Sequence, residues 1–406
     1  MSQGPRNIRI EDFDYTLPEE SIARYPREKR SDSRLMTYQA GKINPDMFYN
    51  IGQYLQEGDT LVLNDTKVIP ARLHFQKHTG AQIEIFCLQP YRMDHQQAMD
   101  QRETCEWETM IGGAKRWKEG ILEKSIAVQG MTFQLKAEKI GETETAFVVR
   151  FSWNNPVVSF SEILHQIGEL PLPPYFDRDA EAQDYDRYQT VFATFEGSVA
   201  APTAGLHFTP EILDDLKSKG VSQQRITLHV GSGTFKPVSS STMEGHAMHG
   251  EIFDVSPSFI ASLLNTQGRI IPVGTTSMRT IESLYWFGVK ILNGHFESNK
   301  NIQLDQWDAY DLPQETSKES ALQAVIDYCM RFNLERFSGS TSLLIAPGYK
   351  MRVSQGIITN FHLPKSTLIL LVAALIGDDW RAVYQRALEE NFLFLSYGDS
   401  SLLLPK

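Results

Sequence analysis

The stretch from residue 72 to residue 155 constrains the fold most, because its pattern is that of β-strands without helices. Apolar residues recur in its first strand at every second position, namely at Ala81, Ile83, Ile85 and Cys87. The segments around Trp107 and from 146 to 153 also have the composition of strands, and glycine-bearing turns separate them. Short strands joined by turns predict a small β-barrel or β-sandwich.

The residues on either side of this stretch mix strand and helix signals. Residues 60–64 form an apolar run with the length of one buried strand. Thr209 and Pro210 predict the N-cap and first residue of a helix that Gly220 ends. Strands that alternate with helices predict an α/β sheet, which binds ligands at the carboxyl ends of its strands.

The strand-only pattern and the mixed strand and helix pattern predict two domains. We expect residues 1–71 and 156–406 to form a large α/β catalytic domain, and residues 72–155 to form a small all-β, barrel-like domain inserted into it. The stretch from 296 to 320 is polar and predicts a long surface excursion.

Composition excludes several classes of protein. The chain of 406 residues has 39 Lys and Arg against 50 Asp and Glu, a net charge of −11, which argues against non-specific nucleic-acid binding but not against a local basic patch. Its three cysteines are far apart and predict neither a disulfide framework nor a thiolate zinc site. The longest apolar run, 368–376, is too short to cross a bilayer, and the first residues do not have the pattern of a secretory signal. We therefore expect a cytoplasmic protein that is not bound to a membrane.

Two glycine-bearing segments follow predicted strands. Residues 197–208 are mostly small and end in His207 and Phe208, a pattern that a tight turn with a buried histidine explains as well as a binding site does. Gly231 and Gly233 follow the predicted strand 225–230, where free N–H groups can hold an anion. The third glycine of a dinucleotide fingerprint and the lysine of a P-loop are absent, so a flexible turn is the alternative.

The segment from His246 to Glu251 brings two histidines and a carboxylate close together. Its spacing is not the helical His-Glu-x-x-His pattern of zinc enzymes, and we predict no metal. His249 and Glu251 are better suited to proton transfer, because imidazole titrates near neutrality and a carboxylate can orient it.

A turn rich in hydroxyl groups precedes a predicted helix that begins at about Met278. Thr275, Thr276 and Ser277 supply three hydroxyls, and Arg279 follows them. Free N–H groups and the helix dipole at such a position favour a carboxylate or a phosphate. N-capping is the alternative, although one hydroxyl would satisfy it.

The segment 357–367 places a polar cluster directly before a helix that is apolar on all sides. Its polar members are Asn360, His362 and Lys365, and the helix runs from Leu368. An all-apolar helix is buried, and polar groups at its beginning need partners or a substrate to offset the loss of water. This pattern favours a functional site.

Together and in this order, the segments resemble one known family. Residues 199–209 read Val-Ala-Ala-Pro-Thr-Ala-Gly-Leu-His-Phe-Thr, and 359–367 read Thr-Asn-Phe-His-Leu-Pro-Lys-Ser-Thr. Both are similar to signatures of the S-adenosylmethionine:tRNA ribosyltransferase-isomerase family. The other matching segments are 64–72, 228–238, 248–251, 273–283 and 396–399.

The resemblance implies both a fold and a reaction. That family has an α/β domain with an inserted β-barrel. It uses S-adenosylmethionine as a ribosyl donor. The ribosyl moiety is transferred to the aminomethyl group of 7-aminomethyl-7-deazaguanine at the wobble position of tRNA and rearranged. The products are epoxyqueuosine-tRNA, adenine and methionine, in the pathway to queuosine. The resemblance also leads us to expect a monomer.

Residue chemistry and motif membership predict roles within this reaction. A base must take a proton from the ribose carbon next to the sulfonium, and an acid must protonate the departing adenine. The predicted proton carriers are His229, His249 with Glu251, and His362. Arg279 with 275–277 would hold the methionine carboxylate, and Asn360 would orient a ribose or base edge. Further predicted substrate-binding residues are Thr203, His207, Gly231, Gly233 and Lys365.

For tRNA, the resemblance extends over a basic segment, residues 24–34. Its positive side chains are Arg24, Arg27, Lys29, Arg30 and Arg34, with Tyr25 among them. Arginines with an aromatic ring suit phosphate contact and base stacking in an anticodon loop, which favours RNA binding. A solvated loop is the alternative.

The chain departs from the family pattern at residues 338–342, at 354–355, where a carboxylate is missing, and at 392–395, where an arginine is missing. It also has extra residues near 90–104 and 286–335. Two alternatives therefore stay open: a divergent member that uses S-adenosylmethionine on another acceptor, and a non-catalytic paralogue that binds RNA or nucleosides. A hydrolase is disfavoured, since the chain has no Gly-x-Ser-x-Gly elbow.

Overall fold

The fold is that of a computed structural model, in which residues 4–231, 238, 240–296 and 302–405 are described. The β-strands are β1 (Arg34–Gln39), β2 (Lys42–Met47), β3 (Thr60–Asn64), β4 (Thr66–Val68), β5 (Arg72–Gln76), β6 (Gln82–Pro90), β7 (Thr104–Gly112), β8 (Leu122–Val128), β9 (Met131–Glu142), β10 (Phe147–Trp153), β11 (Phe195–Ser198), β12 (Ser222–His229), β13 (Glu251–Val255), β14 (Ile270–Pro272), β15 (Gln303–Leu304), β16 (Phe337–Thr341), β17 (Ile357–Asn360) and β18 (Ser400–Leu404). The α-helices are α1 (His95–Asp100), α2 (Phe160–Ile167), α3 (Asp184–Arg187), α4 (Pro210–Ser218), α5 (Pro257–Asn265), α6 (Thr275–Leu292), α7 (Asp308–Asp311), α8 (Lys318–Arg331), α9 (Thr367–Ile376) and α10 (Asp379–Glu389).

A mixed six-stranded sheet forms the centre of the molecule, in the order β14-β3-β12-β13-β16-β15. Strand β3 runs parallel to both β14 and β12, whereas β13 runs antiparallel to β12 and β16. All five residues of β3 are buried, as the apolar run 60–64 predicts. Helices α5, α6 and α8 contribute apolar side chains to the main core beside this sheet.

A second sheet of four strands, in the order β17-β18-β1-β2, joins the amino-terminal and carboxyl-terminal parts of the chain. Strand β1 pairs in parallel with β18, and β17 runs antiparallel to β18. Its link to the central sheet is a parallel bridge between Val273 and Ile358. The end of β14 therefore lies beside β17.

The third large sheet is antiparallel throughout, in the order β5-β6-β7-β10-β9-β8, and uses residues 72–153. Its two edge strands approach each other, because the Nζ of Lys124 on β8 donates to the carbonyl of His74 on β5 at 2.9 Å. Ile83, Ile85 and Cys87 point inward and are fully buried, as their spacing predicts. The mixed α/β class with a barrel-like all-β part is thereby confirmed.

The barrel also contains a helix that the sequence does not predict. Asp94 is the N-cap of helix α1, and its side chain accepts a hydrogen bond from the N–H of Gln97. His95, Ala98 and Met99 are buried on one face of this short helix. With only six residues, α1 is too short to show a helical period in the sequence.

Helix α2 adds its apolar face to the interior of the barrel. A capping box at Ser159 and Glu162 begins the helix, and Phe160, Ile163 and Leu164 are buried in the same cluster as the barrel strands. The barrel core thus draws on residues beyond 155. The division of the chain into domains at 71 and 155 stays a prediction.

The prediction of a surface excursion at 296–320 is wrong in part. Ile302, Leu304 and Ala309 are buried, and β15 extends the central sheet by pairing with β16. Ile302 and Leu304 point to the same side of this short edge of the sheet. Polar residues surround them in the sequence, so the strand is not recognisable from its pattern. Residues 297–301 lie outside the described part of the chain.

Other local predictions are confirmed with small shifts. Thr209 caps α4 by accepting from the N–H of Ile212, with Pro210 at the first position. Helix α6 begins at Thr275, three residues before the predicted Met278. All three cysteines are free and buried. Among the described residues, no helix is long and apolar enough to cross a membrane.

Candidate active site

The ends of two neighbouring strands meet at the beginning of helix α6. Gly274 turns the chain from β14 into α6 with a φ of +94°, a conformation that favours glycine. Its N–H donates to the carbonyl of Ile358 on β17 at 2.8 Å. The first N–H groups of α6, which have no partner within a helix, are therefore directed to the space beside the end of β17.

Two adjoining pockets open at this point, and we call them together the cleft. They share Thr275 and Thr276 at the beginning of α6, and Ser366 and Leu368 at the beginning of α9. Thr275 and Thr276 are two of the three predicted hydroxyl residues. The third, Ser277, is fully buried and does not line either pocket.

The first pocket is mainly apolar and is built from small and aromatic residues. The small residues are 200–204, including the predicted Thr203, and they leave space beside the rings of Tyr175 and Tyr188. The segment 359–363, with Asn360 and His362, also lines this pocket. The predicted turn at 197–208 and the C-terminal motif thus contribute to the lining of one pocket.

The second pocket is more polar and has a volume of about 440 Å³. Its lining includes the segment 245–249, Glu251, Arg279 and the apolar residues 343–345. Thr145, from the turn between β9 and β10, also lines it, so the barrel contributes to the wall of the cleft.

A charged group of three side chains lies in this second pocket. Arg279 and Glu251 form an ion pair, and the Nε2 of His249 lies 3.5 Å from the Oε1 of Glu251. The Glu251 side chain is fully buried. Burial lowers the pKa of Arg279 to about 10, so that its guanidinium stays charged at neutral pH. The sequence prediction of a His–Glu pair is matched by this geometry, and Arg279 joins the pair.

His362 lies in the wall of the first pocket as a neutral imidazole, because burial lowers its pKa to about 3. Its Nε2 lies 3.1 Å from the Oγ1 of Thr359. Two tyrosines fix its backbone: the hydroxyl of Tyr15 donates to its carbonyl, and its N–H donates to the hydroxyl of Tyr384.

Asn360 is engaged within the protein. Its Oδ1 accepts from the Nε2 of His207 at 2.9 Å, and its Nδ2 donates to the carbonyls of Leu395 and Ser396. Its amide therefore joins three chain segments, which weighs against the predicted contact with a ribose. His207 is buried behind Asn360 and does not line either pocket of the cleft.

Two further predicted residues, Lys365 and Gly231, lie apart from the cleft lining. The Nζ of Lys365 is 2.9 Å from Glu11 and 3.0 Å from Asp14, so its charge is used to hold the amino-terminal segment. Gly231 follows the end of β12, next to Val230 of the first pocket. Gly233 lies outside the described residues.

His229 is close to the cleft, but its side chain does not line either pocket. Its Nδ1 lies 3.1 Å from the Oγ1 of Thr66, and its ring stacks on His95 of the barrel. Sequence reasoning missed His95, because no motif marks the extra segment near 90–104. It also missed Tyr175, Tyr188 and Thr145, which distant parts of the chain bring to the cleft.

Arginines of the predicted RNA-binding segment have partners inside the protein. Arg27 donates three hydrogen bonds to the buried Asp399, and Arg30 donates to the carbonyls of Asp186, Arg187 and Leu206. The other two pairs are Arg24 with Glu19, and Arg34 with Glu390. Lys29 is exposed. RNA contact by this segment stays a prediction, and the internal bonds of its arginines weigh against it.

The departures from the family pattern lie mainly away from the cleft. Ser354 donates to the buried carboxylate of Glu282, and the Oε1 of Gln355 accepts from the N–H of Ile270. The chain thus has the hydroxyl of Ser354 beside Glu282 at the place where the family pattern has a carboxylate. Residues 338–342 do not line either pocket, and in the third departure only Leu395 does so.

A metal centre is not evident in the part of the chain that the structure describes. Within it, no group of three His, Cys, Asp or Glu side chains is arranged to hold a metal ion. The absence of a metal requirement stays a prediction.

Comparison with known proteins gives two findings. The chain is similar to the crystal structure of an S-adenosylmethionine tRNA ribosyltransferase from Thermotoga maritima, with 27% identity, 97% of this chain and 100% of that chain covered, and a TM-score of 0.46. Residues 10–403 match the family described as queuosine biosynthesis protein. Because this match spans nearly the whole sequence, the chain belongs to the queuosine biosynthesis protein family.

Proposed function

We propose that the protein transfers the ribosyl moiety of S-adenosylmethionine to 7-aminomethyl-7-deazaguanine at the wobble position of tRNA and isomerises it, giving epoxyqueuosine-tRNA, adenine and methionine. One observation carries the proposal. Motif segments that are far apart in the sequence, 199–209, 248–251, 273–283 and 359–367, supply the walls of one cleft at the beginning of α6.

The two pockets suit the two ends of S-adenosylmethionine. The first pocket, with Tyr175, Tyr188 and small residues, suits an adenine ring, which needs a flat apolar space. The second contains Arg279, whose buried Nε has no hydrogen-bond partner among the described residues and is therefore able to bind a carboxylate. The bound molecule supplies a sulfonium, which acidifies the adjoining ribose carbon.

The side chains in the cleft divide the proton transfers between them. His362 is neutral at physiological pH, so its ring can accept a proton, although a pKa of about 3 makes it a weak base before the substrate binds. His249 lies beside the Glu251 carboxylate, which stabilises an imidazolium, and can donate a proton to the departing adenine. The ion pair with Arg279 holds Glu251 in place for this role.

The position of the departures favours the queuosine precursor as the acceptor over another acceptor. Thr341 and Ser354 make internal contacts, and of the three departures only Leu395 lines a pocket of the cleft. A non-catalytic paralogue would have no use for three histidines and a carboxylate placed in or beside one cleft. The isomerisation step, a cytoplasmic location and a monomeric state stay predictions.

The experiment combines the protein with S-adenosylmethionine and tRNA that carries the aminomethyl-deazaguanine, and follows both adenine and the mass of the tRNA nucleoside. We expect equal amounts of adenine and modified nucleoside. Adenine without modified tRNA would indicate another acceptor, and no adenine would contradict the enzymatic proposal. His362→Gln is the test variant, and the exposed His78→Gln is its control.

A further inference from the structure

Helix α1 of the barrel places His95 directly against His229 of the central sheet. The two ring centroids are 3.9 Å apart and the planes differ by 29°, which is a stacked arrangement. The other side of His95 meets the edge of Trp107 at 6.1 Å. His95 is only 8% exposed, so this contact is an internal one between the barrel and the α/β part.

The backbone of β11 leaves room for this stack. Gly197 has a φ of +146°, a conformation that favours glycine. A Cβ atom at this position would lie 2.7 Å from the Cδ2 of His95 and 2.8 Å from the Cε1 of His229. Any other residue at 197 would therefore collide with both rings at once.

Packing alone does not explain a histidine at position 95. Its Nε2 is buried and has no hydrogen-bond partner among the described residues. A buried polar atom without a partner is unfavourable, and a phenylalanine would fill the same space without it. The feature of His95 that bears on His229 is its flat ring, which stacks on the His229 ring.

We infer that His95 is a positioning residue for His229: from the barrel, it fixes the orientation of the His229 ring and excludes water from one of its faces. The inference rests on the proposed function and on the role as a proton carrier that the sequence analysis predicts for His229. With its Nδ1 beside Thr66, the His229 ring presents Nε2 as the nitrogen that can exchange a proton.

The electrostatic surroundings agree with this role. Burial lowers the pKa of His229 well below its usual value, and a proton on the adjoining His95 would lower it further. Burial also lowers the pKa of His95 to about 4, so both rings are neutral at physiological pH. The charged groups on adjoining elements have other partners. Lys67 pairs with Glu196 and Arg336 with Asp254, the Asp94 side chain caps α1, and the buried Asp65 accepts a hydrogen bond from the hydroxyl of Thr227.

The test follows the ring nitrogens of His229 by NMR from pH 4 to pH 8 in ¹⁵N-histidine-labelled protein. In the wild type we expect His229 to stay neutral over most of this range. In His95→Ala, water reaches the ring, and its pKa should rise towards the usual value of about 6.5. A folded His95→Ala protein whose His229 titrates as in the wild type would overturn the inference.

Three further variants separate positioning from stability. His95→Gln fills most of the space without a ring and should give the same rise if His95→Ala does not fold. The His95→Ala substitution should lower kcat about tenfold at pH 8. His95→Phe restores the stack and should recover most of that loss. Met99→Leu, on the same buried face of α1, should change neither the titration nor kcat, and a loss of kcat in Met99→Leu equal to that in His95→Ala would point to packing alone.

The pH profile of kcat/KM connects the stack with catalysis. In His95→Ala its acid limb should move to higher pH together with the NMR titration of His229, whereas the KM for S-adenosylmethionine should be unchanged. If the wild type released no adenine, the proposed function would fail, but the NMR titration would still decide whether His95 positions His229.

Discussion

Two arginine–carboxylate pairs, Arg279–Glu251 and Arg27–Asp399, have the same chemistry and different surroundings. Both carboxylates are fully buried. Asp399 also accepts from the N–H groups of Arg34 and Leu393, so the pair joins three chain segments. Arg279 and Glu251 instead line a pocket with His249. The two pairs show that the role of an ion pair depends on what surrounds its carboxylate. Asp399 accepts from backbone N–H groups, whereas Glu251 lines a pocket that has space for a ligand.

The largest effect is expected for Glu251→Gln, which removes the negative charge from the Arg279–Glu251 pair in the cleft. Without the carboxylate, His249 loses the group that stabilises its imidazolium, and turnover should fall by about 10³-fold. Adenine release at saturating S-adenosylmethionine measures this, and the melting temperature checks the fold. Asp215→Asn, on the exposed surface of α4, is the control. Full turnover by Glu251→Gln would remove this group from the mechanism.

Asp399→Asn tests the other side of the comparison and should act on stability. The substitution leaves Arg27 without a charged partner, and the asparagine amide cannot accept all the hydrogen bonds that the Asp399 carboxylate accepts. The free energy of unfolding should therefore fall by about 3 kcal/mol. Denaturant unfolding measures the loss. Turnover of the folded fraction should stay near that of the wild type, and a selective loss of tRNA affinity would instead show that the pair serves RNA binding.

The sequence predicts the residue types of the cleft better than it predicts their partners. The segments that meet there are recognisable because small residues, hydroxyls and histidines follow strands at the same edge of the sheets. The role of Arg27 is not recognisable, because its partner Asp399 lies 372 positions away. Asn360 likewise looks like a substrate ligand in the sequence, and only the fold shows His207 opposite its amide. Local pattern predicts which groups are available, and long-range pairing decides which of them are free.

The pH dependence of stability separates a cleft histidine from an exposed one. His362 has a folded-state pKa of about 3, below the unfolded value of about 6.5, so the unfolded chain binds the proton first and stability falls as pH decreases from 6.5. Each such histidine contributes about 1.4 kcal/mol per pH unit. The folded-state pKa of Glu196 is about 2, below its usual value of 4.5, so protonation of Glu196 lowers the free energy of unfolding only below about pH 4.5.

His362→Gln should therefore flatten the dependence of unfolding free energy on pH between pH 6 and pH 4.5 by about 1.4 kcal/mol per pH unit. Urea unfolding at several pH values measures the slope. His78→Gln replaces an exposed histidine and should leave the slope as it is in the wild type. A His362→Gln slope equal to the wild-type slope would show that His362 is protonated in the folded state.

The smallest effect is expected at Lys29, and it decides whether the basic segment binds RNA at all. Lys29 is exposed, whereas Arg30 is held by three carbonyls. If the segment contacts phosphates, Lys29→Glu should lower by about one the slope of log affinity for tRNA against log salt and leave stability unchanged. Arg30→Gln should instead lower the melting temperature, because it leaves carbonyls of the segment 186–206 without their donor. Equal salt slopes for the wild type and Lys29→Glu would show that the RNA-binding surface lies elsewhere. The next surface to test would then be the barrel turn at Thr145, which borders the second pocket.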